Sequence, residues 1–140
     1  MRVYAEQRQL GEVIDSDCVL IIDDDKELAS ELADFVESIG LEAVLVHDGI
    51  TGLSVLSELL PKVALIDVQM PGMNGIDVVK EVRAKHPDVG LVLMSGADKA
   101  ELEKMCGDEK DIMVLAKPLP LNDLGKFLRI TFGKSIWSAF

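Results

Sequence analysis

An open parallel α/β sheet with helices on both faces is the fold class the sequence predicts, and three observations predict it. Five short aliphatic runs recur along the chain without polar alternation, as strands covered on both faces do. Segments with helical spacing separate them, so strand and helix alternate five times. The chain has 140 residues, 49% hydrophobic but only 4% aromatic, which is the size of one domain with an aliphatic core.

In chain order, residues 1–16 are set apart as an N-terminal extension, a polar lead-in that is partly helical in pattern. The first aliphatic run is Cys18–Ile22. The segment "KELASELADFVESIG" then places Leu28, Leu32, Phe35 and Ile39 on one helical stripe, with Gly40 as its stop. After the run Ala43–Val46, "ITGLSVLSELLP" repeats the stripe with Leu53, Leu56 and Leu60, ended by Pro61. The run Val63–Ile66 leads to a helix in "NGIDVVKEVRAKHP", opened by Asn74, lined by Ile76, Val79 and Val82, and closed before Pro87. The runs Leu91–Met94 and Ile112–Ala116 are followed by the weaker helical segments "DKAELEKMCG" and "LNDLGKFLRITF". Residues 133–140 form a C-terminal tail that holds Trp137 and Phe140.

The totals exclude some function classes. Apolar runs of about five residues are far too short to cross a bilayer. No basic start followed by an apolar stretch stands near Met1, so the expected location is cytoplasmic. A net charge of −11 argues against direct binding of nucleic acid by this chain and favours a cation or a partner with a basic face. Cys18 and Cys106 form no CxxC pair and read as reduced thiols.

Polar residues collect where the runs end. The first run ends in Asp23-Asp24-Asp25, the third in Asp67, the fourth in Ser95 and the fifth in Lys117. In an open parallel sheet the carboxyl ends of the strands share one rim, where ligands bind. Asp25 by itself reads as a helix cap. The others gain meaning from their joint placement. Two carboxylates about 4 Å apart repel by roughly 4 kcal/mol at an effective dielectric near 20. Three of them on one rim call for raised pKa values or a neutralising cation. Lys117 supplies one positive charge. A divalent metal would supply the rest, and all-oxygen ligation selects Mg²⁺, or Mn²⁺, over zinc. Magnesium takes one or two carboxylates together with a phosphoryl oxygen, so a phosphate is the ligand still to be placed.

The pieces "VLIIDDDKELASEL", "VALIDVQMPGMNGIDVVKEVR", "LVLMSGAD" and "LAKP", in that order and spacing, resemble the receiver domain of two-component response regulators over residues 17–132. The resemblance implies a flavodoxin-like (βα)5 fold with a five-stranded parallel sheet of order 2-1-3-4-5. It implies that Asp67 is the phosphoacceptor, that Asp24 binds Mg²⁺ directly and Asp23 through water, and that Gln69 offers its backbone carbonyl to the metal. Ser95 would hydrogen-bond a phosphoryl oxygen, Lys117 would pair with the phosphate, and the Lys117–Pro118 bond would be cis. The implied partner is a sensor histidine kinase or a phosphotransfer protein, and the domain would signal rather than act as an enzyme.

Departures from the family pattern are few. Val114 stands where receivers usually carry Tyr or Phe, so the resemblance does not extend to the aromatic relay that accompanies movement of the Ser or Thr. Gly96 is compatible with the small residue common there, Leu119 in place of a frequent Phe is a mild change, and Gln69 and Ala97 occupy positions that tune phosphate hydrolysis in this family. Two other functions compete. A haloacid-dehalogenase-like phosphatase also uses an aspartyl nucleophile and Mg²⁺, but its D-x-D pair stands on the first strand, and Asp67-Val68-Gln69 lacks the second aspartate. The other is a receiver-like docking module that works without phosphorylation. His47 and His86 read as structural or solvated. No residues remain for an effector, so the chain reads as a stand-alone receiver or a fragment. The Trp137/Phe140 tail is open to use as a homodimer contact, an intramolecular cover or a linker.

Overall fold

The computed structural model describes residues 2–4, 17–70, 72, 75–96, 100 and 112–133. Strands β2 (Cys18–Ile22), β3 (Glu42–Val46), β4 (Val63–Asp67), β5 (Gly90–Ser95) and β6 (Ile112–Ala116) coincide with the five aliphatic runs to within a residue at each end. They are parallel and lie side by side as β3-β2-β4-β5-β6, the doubly wound order expected. The sheet has a sixth strand that the five-strand expectation left out. Strand β1 (Arg2–Val3) pairs in parallel with the free edge of β3, Arg2 opposite Val44 and Val3 opposite Leu45. Two residues carry too little periodicity to be recognised as a strand.

Side chains of the strands alternate between two cores. On one face, Leu20, Ile22, Ala64, Ile66 and Leu93 pack with Val55 and Leu56 of α2 (Gly49–Leu59) and with Ile76, Val79 and Val82 of α3 (Gly75–Lys85). On the other, Val19, Ile21, Leu65, Val92 and Met94 pack with Leu32 and Val36 of α1 (Lys26–Ser38) and with Leu124, Leu128 and Phe132 of α4 (Leu121–Phe132). Burial on both faces explains why the strands read as unbroken apolar runs.

Two helical stripes differ from the expected ones. The centre of the α1 contact is Ala29, Leu32, Ala33 and Val36, while Leu28 and Phe35 lie at its margin. The alanines let the helix backbone come close to the sheet, and Gly40 closes it at φ 91°. In α2, Leu60 is 48% exposed because it sits beyond the last turn in a left-handed conformation, φ 50°. The helix comes close to the sheet at Gly52, where a Cβ atom would stand 2.8 Å from two carbons of Ile22. In α3, Ile76, Val79 and Val82 are buried as expected. Asn74, the segment "DKAELEKMCG" (apart from Ala100), Cys106 and the Trp137/Phe140 tail lie outside the described residues. Among the described residues no helix is long and apolar enough to cross a membrane.

Candidate functional site

Strand register brings the polar residues to one rim. Ile22 is paired with Ile66, so Asp23 and Asp67 emerge side by side from β2 and β4. Asp67 pairs with Met94, which puts Ser95 one residue further along β5, and Ser95 pairs with Ala116, which puts Lys117 just beyond β6. Backbone hydrogen bonds extend the ladder past the strand ends: Asp23 N–H donates to the Val46 carbonyl at 3.1 Å, and Lys117 N–H to that of Ser95 at 2.7 Å.

Asp23 and Ser95 are almost fully buried and Asp67 is 5% exposed, whereas Asp24 is exposed. The Asp67 carboxylate accepts from the backbone N–H of Gln69 at 3.0 Å through Oδ1, and its Oδ2 stands 3.4 Å from Lys117 Nζ. The Asp23 carboxylate accepts from Asp25 N–H at 2.9 Å, and its Oδ2 lies 3.6 Å from the same Nζ. One ammonium thus bridges two buried carboxylates, and the Lys117–Pro118 peptide that carries it is cis.

The electrostatics follow from this arrangement. Burial pushes the Asp23 carboxyl up from 3.8 to about 6. Asp67 adds to the rise, while the Asp25 N–H and Lys117 oppose it. Among the described residues, no group donates a hydrogen bond to the buried Asp23 Oδ2, whose nearest cation is Lys117 Nζ at 3.6 Å. Carboxylate oxygens of Asp23, Asp24 and Asp67 lie within 4.8 Å of one another. An unsatisfied buried oxygen within an all-carboxylate group is the donor set that a hard divalent cation takes.

Asp25 caps α1 through its bond to Leu28 N–H, 3.1 Å, as its sequence position suggested. The side chain of Gln69 is exposed and only its backbone reaches the site. Val114 is buried within the aliphatic core on the α2/α3 face. His86, one residue past the end of α3, has its Nε2 3.3 Å from Ser57 Oγ of α2. His47 comes closer to the rim than its setting in a turn suggested, with Nδ1 3.1 Å from the Asp23 carbonyl oxygen.

A family model for the response regulator receiver domain matches residues 19–129. The chain belongs to that family. Transcriptional regulatory protein CpxR of Escherichia coli (strain K12) is 35% identical over 121 residues, covering 86% of this chain and 51% of CpxR. The DNA-binding response regulator MtrA of Mycobacterium tuberculosis (strain CDC 1551 / Oshkosh) is 37% identical over 93 residues, covering 57% of this chain and 41% of MtrA. The receiver thus spans about half the length, or less, of these relatives. Among solved structures, the receiver domain of Francisella response regulator 1452 superposes with a TM-score of 0.71 at 26% identity, over 85% of this chain and 98% of that one. Chemotaxis protein CheY4 of Vibrio cholerae shares the fold, with a TM-score of 0.73 at 23% identity over 82% and 98% of the two chains. The family is one of two-component signalling rather than of metabolic catalysis.

Proposed function

We propose that Asp67 of this receiver accepts a phosphoryl group from the phosphohistidine of a sensor histidine kinase or phosphotransfer protein. The observation that carries this reading is the Asp67 carboxylate itself, fixed by Gln69 N–H and Lys117 beside two further acids. A carboxylate oxygen attacks phosphorus in line, the new P–O bond forms as the P–N bond breaks, and the imidazole leaves. Lys117, already within 3.4 Å of Asp67, neutralises charge on the transferred group, and the Ser95 hydroxyl donates to one of its oxygens. Asp24, Asp23 through a water, Asp67 and the Gln69 carbonyl would hold Mg²⁺, with Mn²⁺ as a substitute. When bound, the cation compensates the charge of the phosphoryl oxygens. The chain promotes its own phosphorylation and the slow loss of the phosphate, and no separate substrate is turned over.

Residues 17–132 make up the receiver in this reading, flanked by 1–16 and 133–140, and it works in the cytoplasm. With a net charge of −11 it makes no direct contact with nucleic acid. Incubation with acetyl phosphate and Mg²⁺, followed by intact mass measurement, tests the central claim. Wild type gains one phosphoryl group and Asp67→Asn gains none; equal labelling of both would overturn the assignment.

One observation favours a second reading, a docking module that needs no phosphate. Val114 offers no ring to rotate when Ser95 moves. Chemical-shift changes on adding beryllofluoride and Mg²⁺, spreading beyond the rim, favour the switch; changes confined to residues touching the site favour the docking module.

A further inference from the structure

Asp23 is pinned on several sides, and one of the pins is a side chain. Its N–H donates to Val46 O, its carboxylate accepts from Asp25 N–H, and its carbonyl oxygen lies 3.1 Å from His47 Nδ1. A carbonyl can only accept, so Nδ1 carries the proton and His47 is the donor. His47 is half-buried at the end of β3, in a groove of about 250 Å³ that Val3, Tyr4, Asp48 and Thr51 also line. Asp48 is held in turn as the cap of α2, accepting from Thr51 N–H at 2.7 Å.

We propose that His47 is a positioning residue for the cation site. It fixes the Asp23–Asp24 peptide plane, and through it the directions of both carboxylates. The carbonyl of Asp23 belongs to the peptide group that carries the Asp24 N–H, so rotation of that plane would swing Asp24 relative to Asp23 and Asp67. Asp24 is exposed and has little packing of its own to hold it. Partners behind a metal's direct ligands commonly change metal affinity about 10- to 100-fold. This role rests on the reading of Asp23 and Asp24 as cation ligands.

Side-chain geometry supplies a sharp test. In asparagine the amide nitrogen is bonded to Cγ, as Nδ1 is in histidine, so His47→Asn keeps a donor at that point. In His47→Gln the amide nitrogen lies one carbon further out, nearer the place of Nε2. Mg²⁺ titration by calorimetry should show affinity about tenfold weaker in His47→Ala and His47→Gln, with His47→Asn close to wild type. Urea stability without metal should be nearly equal in the Asn and Gln variants. A second readout needs no metal: the ¹⁵N shifts of His47 in the metal-free protein should report the Nδ1–H tautomer. Equal Mg²⁺ affinity in all four proteins, or an Nε2–H tautomer, would overturn the positioning role and leave Asp23 and Asp24 as ligands. Absence of Mg²⁺ binding by wild type would overturn both.

Discussion

Replacing Asp23 by asparagine should stabilise the metal-free receiver at neutral pH. Asp23 is buried beside Asp67, and its carboxyl is raised from 3.8 to about 6. A raised carboxyl pKa means that between these two values the folded state binds more protons than the unfolded state. Folding stability therefore falls as pH rises through that window, and the loss is complete above about pH 6. At about 1.4 kcal/mol for each pH unit, ionised Asp23 costs folding about 3 kcal/mol. Asparagine keeps an oxygen to accept from Asp25 N–H and removes the charge. Urea unfolding in EDTA should show Asp23→Asn more stable than wild type by up to about 3 kcal/mol at pH 7.5, with the gap closing towards pH 4. With saturating Mg²⁺ the order should narrow or reverse, because wild type gains about 2.7 kcal/mol at a cation concentration 100 times its Kd and the variant gains less. A variant less stable than wild type at pH 7.5 in EDTA, or a gap that does not change with pH, would refute this account of the rim.

Three further outcomes are expected. Lys117→Met removes the ammonium shared by Asp23 and Asp67, so stability at pH 8 should drop by about 2 kcal/mol, less than for a fully buried pair because Lys117 reaches solvent, and the drop should shrink at pH 5. Gly52→Ala should lower stability by about 1–3 kcal/mol by thermal or urea unfolding despite the better helix propensity of alanine, because its Cβ meets Ile22 at 2.8 Å. Leu65→Ala, in the fully buried centre of β4, should cost about 2–5 kcal/mol by urea unfolding and leave the labelling of Asp67 intact at temperatures where the variant is folded.

The rim was legible in the sequence for a physical reason. Strands buried on both faces must be apolar along their length, so a polar residue that ends each run marks where the strand surfaces. Asp23, Asp67, Ser95 and Lys117 each stand at such an end, and register brings them together. The features that escaped have weak sequence signals. Strand β1 has two residues and no periodicity, and it is recognisable only once the edge of β3 is seen beside it. The buried centre of α1 rests on Ala29 and Ala33, small residues that a search for large apolar side chains passes over. Leu60 keeps the helical spacing but falls beyond the last turn before Pro61. His47 belongs to the turn before α2, and its tie to Asp23 spans 24 residues, beyond the reach of local pattern.

The most direct test of the central claim is the chemical identity of residue 67 after phosphorylation. Borohydride reduces an aspartyl phosphate to homoserine, which peptide mass spectrometry can place in the chain. After treatment with acetyl phosphate and Mg²⁺, homoserine should appear at position 67 and nowhere else, and should be lost when EDTA replaces the cation. Homoserine at Asp23 or Asp24, or at no position in protein shown to bind Mg²⁺, would contradict the assignment of Asp67 as the phosphoacceptor.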